Sequence, residues 1–273
     1  ANRAQVFTSK LSPVSFTAAG TNLSDVDNLT FDNLKVTFAT SLFVDGINEK
    51  LVVNGATNGE ISSNLGGISN RSGSFILNSN TFDYQVVVTS GTATVTITGA
   101  SGAQLSLQQA ESILDALQYN NVSDIRTSMP ARVFSVLATD GGGLASNTET
   151  LTISITPSVP SITRGSDDTG LYNNDRVTSD NTLTLNGLGG IGDTITIYSG
   201  SNPVGTGVVS SNGTFSVTTS VLANGTHNLS AVASNSLGLS SANSPTVSWE
   251  INFVQQMPQP SITVNNNPNP VLL

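Results

Sequence analysis

Residues 158–187 read SVPSITRGSDDTGLYNNDRVTSDNTLTLNG. A strand-like run at 149–155 precedes this stretch, and another, at 181–187, closes it. Between them Asp167, Asp168, Asp175 and Asp180 stand within fourteen positions, with Arg176 among them. Carboxylates this close repel one another unless a cation lies between them. The stretch therefore reads as a joint between two β-domains, stiffened by a bound cation.

Composition supports the β reading. Asn, Ser, Thr and Gly are abundant, and Val, Ile and Thr recur in ordered alternation, as in strands rather than in disordered chains. The 273 residues hold two domains of common size. There are no cysteines, which excludes disulfides and thiolate metal sites. The net charge is −9. Nucleic acid is excluded as a partner, since phosphate contacts need clustered Lys and Arg. No apolar run approaches the ~18 residues that span a membrane, so no membrane contact is expected of this segment. The sequence opens at Ala1 without a leader and closes on a Pro- and Asn-rich run, so it reads as a piece of something longer.

Outward from the joint, each half ends alike. Residues 138–146, ATDGGGLAS, align with 233–241, ASNSLGLSS, and an alternating final strand follows each, at 149–155 and 246–251. Such self-similarity marks a modular array. In the first half, strands are expected at 34–38, 51–53, 74–77, 84–89, 93–98 and 133–138, with polar, Gly-rich residues 54–73 as a loop or short hairpins. One helix is expected, at 106–118, because Ser106 and Gln109 form a capping box and Leu107, Ala110, Leu114 and Leu117 share a face. In the second half, strands are expected at 183–185, 194–198, 214–218 and 227–233. Ser199-Gly200, Asn212-Gly213 and Asn224-Gly225 supply turns between them. The fold class is all-β, two tandem β-sandwich domains with one short helix in the first. Boundaries fall at 1–157 and 158–253, and 254–273 is a linker or the start of a further module.

Site chemistry is sparse. Asp25 and Asp27 sit two apart on an extended or turning segment, a spacing that suits a shared hard cation or Asx-type turn caps equally. The single histidine, His227, reads as a surface turn residue, with neither a partner nor a pocket to make it a general base. No G-x-S-x-G nucleophile motif is present. Gly141-Gly142-Gly143 is a turn, because no Lys-Ser/Thr and helix follow it. The single tryptophan, Trp249, alternates with Val247 and Ile251 and reads as core. No enzymatic activity is expected.

NRAxV near the start, SDVD at 24–27, DGxxExL at 45–51, LQQAESILDALQYNNVS at 107–123 and ATDGGGL at 138–144 together resemble a bacterial cadherin-like repeat. SDDTG at 166–170, NNDRVTSDNTLTLNG at 173–187, DTITIY at 193–198, 212–234 and LGLSS at 237–241 resemble a bacterial Ig-like module of large repetitive adhesins. The resemblance implies an extracellular array on a bacterial cell surface, of the RTX type. Its partners would be calcium ions and neighbouring modules of the same monomeric chain, and its role to extend or present a binding region for adhesion. It also implies Ca2+ at Asp167, Asp168, Asp175 and Asp180, and at Asp25, Asp27 and Asp140. Asn235 departs from the pattern, which has Asp there. The alternative reading is a module that itself grips a glycan or peptide, through loops such as 54–73.

Overall fold

The computed structural model describes residues 3–8, 12–17, 23, 30–165, 168–169, 172 and 174–253. The first part runs β1 (Arg3–Phe7), β2 (Val14–Ser15), β3 (Thr30–Ala39), β4 (Glu49–Val53), β5 (Glu60–Ser62), β6 (Arg71–Leu77), β7 (Asn80–Thr89), β8 (Thr92–Gly99), β9 (Leu105–Ser106), α1 (Leu107–Ala116), β10 (Leu117–Asn121), β11 (Arg132–Asp140) and β12 (Glu149–Ile155). One sheet has the order β1-β12-β11-β3-β8-β7-β6, with β9 beside β3, and the facing sheet is β2-β10-β4-β5. The second part runs β13 (Ser161–Gly165), β14 (Val177–Thr178), β15 (Thr184–Leu188), β16 (Thr194–Ser199), β17 (Asn202–Val208), β18 (Thr214–Thr218), β19 (Gly225–Ser234) and β20 (Val247–Ile251). Its sheets are β13-β15-β18 and β14-β20-β19-β16-β17. In both parts the first two strands join opposite sheets, and one of them runs parallel to the last strand: β1 along β12, β14 along β20.

Alternation builds two separate cores. Leu151, Ile153 and Ile155 point inward on β12, and Phe134 on β11 meets Phe16, Phe38, Phe43 and Tyr119 at ring-centroid distances of 4.8, 5.4, 5.2 and 6.0 Å. The second core gathers Leu183, Leu185, Ile195, Ile197, Phe215, Val217, Leu229 and Trp249. Helix α1 begins at the expected cap. The Gln109 amide donates to Ser106 Oγ and the Ser106 amide donates to Gln109 Oε1, at 3.3 and 2.9 Å. Ala110, Ile113 and Leu114 are its buried residues.

Two elements depart from the sequence expectation, and a third takes one of its two expected forms. The helix ends at Ala116, because Leu117 is already extended (φ −65°, ψ 129°) and opens β10, which pairs with β4. The helical period of leucines ran on through Leu117 and hid that strand. Residues 54–73 take the second of their two expected forms, a short hairpin rather than a free loop. β5 pairs with β4, and Ile61, Leu65 and Ile68 are buried in the first core. Strand β17, where no strand was expected, contains Pro203, Gly205 and Gly207. It is an edge strand, where a proline is tolerated, and a Cβ on Gly205 or Gly207 would stand 2.9 or 2.8 Å from Val217.

The paired endings at 138–146 and 233–241 match bond for bond. Asp140 N–H donates to Leu144 O and Asn235 N–H to Leu239 O, at 2.9 and 3.0 Å; Ser146 N–H donates to Ala138 O and Ser241 N–H to Ala233 O, at 2.8 and 2.9 Å. Gly143 and Gly238 take the positive φ the turn needs, +87° and +77°.

Register fixes the ends of the second sandwich. Ser161 pairs with Leu188, and Thr194 pairs with Ser234, at the end that meets the first sandwich. Gly165 pairs with Leu185, Thr184 with Thr218, and Val177–Thr178 with Glu250–Ile251, all toward the opposite end. The described residues between Gly165 and Thr184, with Asp168, Asp175 and Asp180 among them, therefore lie at the end remote from the joint. This corrects the sequence reading: residues 158–160 are the joint, but Asp168, Asp175 and Asp180 are not in it.

Candidate functional site at the joint between the sandwiches

The connection between the sandwiches is short and packed. Pro157, Ser158 and Pro160 are buried, and β13 starts at Ser161. Three hydrogen bonds link the two sides. Arg126 N–H donates to Ser158 Oγ at 2.7 Å. Ser128 Oγ donates to Asp193 Oδ1 at 2.5 Å. Asn235 Nδ2 donates to Ile155 O at 3.2 Å.

Asn235 accounts for its departure from the Asp of the first module. Its Oδ1 accepts from the amides of Leu237 and Leu239 at 3.0 and 3.1 Å, as Asp140 Oδ1 accepts from Gly142 and Leu144 at 2.9 and 2.7 Å. The carboxamide adds a donor that a carboxylate lacks, and that donor reaches across the joint. Asn235→Asp should keep the turn but set a carboxylate oxygen against the Ile155 carbonyl. An unmet buried acceptor costs about 1–3 kcal/mol. Amides at 156–162 should then exchange roughly tenfold faster, while the β-core amides of both sandwiches stay unchanged. Unaltered exchange across the joint would remove Asn235 from its construction.

Beneath the joint, the first sandwich holds a buried charge network. Arg132 takes an inward position two residues before Phe134 and is 0% exposed. Its Nε donates to Glu49 Oε1 at 2.6 Å, and its second terminal nitrogen donates to Asp45 Oδ2 at 3.3 Å and to Thr127 O at 3.1 Å. Tyr119 Oη donates to Glu49 Oε1 at 2.8 Å, and burial with the Glu49 charge holds that phenol far above its ordinary range. Asp45 also accepts from Asn121 Nδ2 and from the Thr127 amide. The network ties β4, β10 and β11 to the 123–130 loop that faces the second sandwich. Beside it, a cleft of about 500 Å³ opens between the sandwiches, lined by Asp45, Asn48, Ser123, Ile125 and Thr127 on one side and Leu188, Ile191 and Asn212 on the other.

The sequence-predicted metal positions are scattered by comparison. Asp25, Asp27 and Asp167 lie outside the described residues. Asp140 caps its turn at the end of the first sandwich away from the joint, where Gly141 N–H donates to Thr30 O. Asp175 accepts from the Val177 amide, and Asp180 from the amide and hydroxyl of Thr182. Asp168 Oδ2 accepts from the Arg176 amide, while its Oδ1 is buried with no hydrogen-bond partner. Among the described residues no group of three or more His, Cys, Asp or Glu side chains is placed to hold one metal ion.

His227 has the partners the sequence did not reveal. Its Nε2 lies 2.8 Å from Ala223 O and its Nδ1 2.8 Å from Ser199 Oγ. A carbonyl can only accept, so Nε2 carries the proton and Nδ1 accepts from the serine. The imidazole braces the 223–225 turn against β16. Trp249 is core, 3% exposed, as expected from its alternation.

Residues 152–252 match the family model of the bacterial Ig-like domain. That match begins in β12 and covers the whole second sandwich, hereafter the Ig-like sandwich. Solved structures that the chain resembles include fibronectin(III)-like modules of Clostridium thermocellum CbhA, 11% identical over 71% of this chain and 92% of that one, with a TM-score of 0.28. The D00-D0 domain of intimin is 15% identical over 50% of this chain and 72% of that one, with a TM-score of 0.22. The BSP domain of a biofilm-associated protein is 12% identical over 84% and 46%, with a TM-score of 0.24. These scores carry no argument on function. No curated protein matches the chain. No helix among the described residues is long and apolar enough to cross a membrane.

Proposed function

We propose that this chain is a non-catalytic spacer segment of a bacterial surface adhesin, in which two docked sandwiches hold a binding region away from the cell. The joint supports this reading: buried Pro157, Ser158 and Pro160 and three cross-joint hydrogen bonds fix one sandwich on the other. Inter-domain contacts swing freely by default unless they are extensive or interlocked, and a spacer works only if it is stiff. The match of residues 152–252 to the bacterial Ig-like domain supports this reading, since sandwiches of that kind suit arrays.

Calcium belongs to the proposal at the end of the Ig-like sandwich remote from the joint. The buried Asp168 Oδ1 lacks a donor among the described residues, and a carboxylate oxygen in that state fits a hard cation. Asp167, Asp175 and Asp180 are the further oxygen ligands in this reading, and Asp25, Asp27 and Asp140 form a second set. Bound calcium would neutralise the carboxylate repulsion and tie these end loops down. With a dissociation constant of ~10⁻⁴–10⁻³ M and calcium ten- to a hundredfold above it, each site adds about 1.4–2.7 kcal/mol to the folded form.

Small-angle scattering tests both parts. At any one pH the same shape is expected in millimolar calcium and in chelator, because the joint is made by protein contacts. Calcium should instead raise the melting temperature of the Ig-like sandwich, and Asp168→Ala should abolish that increment. A collapse to a compact ensemble in chelator would mean that the ion, not the protein contacts, holds the joint.

The cleft at the joint favours a second reading, in which the segment grips a glycan or peptide. The former candidate loop, 54–73, contributes less, since Ile61, Leu65 and Ile68 are buried. Reproducible binding on a glycan and peptide array, lost in a Leu188→Glu, Ile191→Glu variant, would establish this role over the pure spacer.

A further inference from the structure

Asp193 is the ionisable group that the joint encloses. It is 1% exposed. Its backbone locks the turn before β16: its N–H donates to Gly190 O at 3.1 Å, and its carbonyl accepts from Val209 N–H at 2.9 Å. The carboxylate points at the first sandwich, where Oδ1 accepts from Ser128 Oγ. Oδ2 is buried and has no hydrogen-bond partner. Gly190 shows what lies opposite. A Cβ there would stand 2.5 Å from Asp193 Oδ2 and 2.5 Å from the carbonyl oxygen of Arg126. Two oxygens from opposite sides of the joint thus crowd the same face of one glycine, and one of them is ionisable.

Charges around this pair do not relieve it. Residues 156–160, 188–192, 208–213 and 235–241, which collar the joint on the Ig-like side and in the connection, contain no charged residue. On the first sandwich the titratable groups gathered around the 123–130 loop are Arg126, Asp45, Asp124, Arg132 and Tyr119. The Arg126 guanidinium turns away, over the Phe7 ring at 5.5 Å and onto Thr8 O at 3.2 Å. Arg132 is occupied by Glu49 and Asp45. The remaining carboxylates would only add repulsion.

We propose that Asp193 is a proton-operated latch of the joint: its neutral acid favours the docked sandwiches, and its carboxylate favours their release. A protonated Oδ2 can donate toward the opposing carbonyl, whereas an ionised Oδ2 presents lone pairs to lone pairs in a site that water does not reach. Burial pushes the Asp193 carboxyl up to about 6, and the Ser128 hydroxyl pulls it part of the way back. In the undocked state the group is solvated and has an ordinary value near ~3.9. The sign follows from linkage. The docked form binds the proton more tightly, so docking is strongest below ~4, weakens as pH rises from ~4 to ~6, and levels off above that. About two pH units of separation correspond to a change of up to ~100-fold in the docking equilibrium.

The latch deepens the spacer reading and can fail separately from it, because calcium plays no part and the test runs in chelator. The natural chain has no cysteine, so Gln85→Cys and Ser216→Cys place one dye on each sandwich for single-molecule energy transfer. The expected result is a narrow distance distribution at pH 4.5 that gains an undocked population between pH 5 and 7. Asp193→Asn, which keeps the shape and always offers a donor, should stay narrow throughout. Ser128→Ala removes the bond that favours the charged form and should move the midpoint to higher pH, a shift that a merely structural contact would not produce. A wild-type distribution unchanged from pH 4.5 to 7.5 would overturn the latch, as would an Asp193→Asn variant with the wild-type pH dependence. If both Asp193→Asn and the wild type are undocked at every pH, the latch and the docked spacer fall together.

Discussion

Arg132→Met should destabilise the first sandwich by about 3–5 kcal/mol, the cost of leaving buried carboxylates without their cation. The side chain has no exposure, and its partners Glu49 and Asp45 are 0% and 6% exposed. Methionine fills much of the volume, so the loss is electrostatic rather than a cavity effect. Glu49 would keep only the Tyr119 hydroxyl and the Asp45 amide as donors. Adding Glu49→Gln removes one of the two stranded charges and should recover part of the loss. That non-additivity distinguishes a broken ion pair from general damage. Trp249, the single tryptophan, lies in the Ig-like core. Its fluorescence therefore reports that sandwich alone, and its midpoint in denaturant should stay put while far-ultraviolet circular dichroism shows the first sandwich unfolding early. A loss under 1 kcal/mol would mean that water or rearrangement supplies what Arg132 gives.

Trp249→Ala should cost the Ig-like sandwich about 3–5 kcal/mol, as large-to-small changes of buried aromatics do. Against a domain stability of about 5–15 kcal/mol, that brings the sandwich close to unfolding at ordinary temperature. The ring fills space that Gly165 leaves for it: a Cβ on Gly165 would stand 2.3 Å from Trp249 Cζ2. Gly165→Ala should therefore be destabilising too, by overpacking. Trp249→Phe separates shape from polarity. The indole Nε1–H is buried with no hydrogen-bond partner, so phenylalanine loses contact area but also removes an unmet donor, worth about 1–3 kcal/mol. Phenylalanine should be far milder than alanine, read by thermal melts of the two variants. Equal losses would show that the indole nitrogen is satisfied in solution.

Local pattern was enough for much of the fold. The alternation of Leu151, Ile153 and Ile155 and of Phe215 and Val217 set their strands, and a strand's two-residue period is a property of its own backbone. The Ser106–Gln109 cap and the repeated turn at 138–146 and 233–241 were equally legible, because each closes its hydrogen bonds within a few residues. The three turn glycines, Gly200, Gly213 and Gly225, have the positive φ their positions implied. Local pattern failed where the deciding partner is distant. β10 is a strand because β4 lies beside it, and β17 is one because β16 lends it an edge.

The site was less legible for the same reason. Asp167, Asp168, Asp175 and Asp180 drew attention as neighbours in sequence, yet strand register carries Asp168, Asp175 and Asp180 to the end opposite the joint. Asp193 is isolated in the sequence, between glycines and a strand, and gave no signal. It acquires its chemistry from Ser128, 65 positions earlier, and from a carbonyl that only docking brings near. Arg132 did leave a trace, as a charge at an inward-facing position of β11, but which carboxylates meet it depends on sheet pairing. The sequence by itself determined two all-β sandwiches, their repeated endings and their short connection, because alternation and turn chemistry are local. Tertiary structure alone decided where the joint's polar groups are and which end the acidic loop occupies. Burial, register and the loss of water around a carboxylate belong to the packed pair of sandwiches, not to any one stretch of chain.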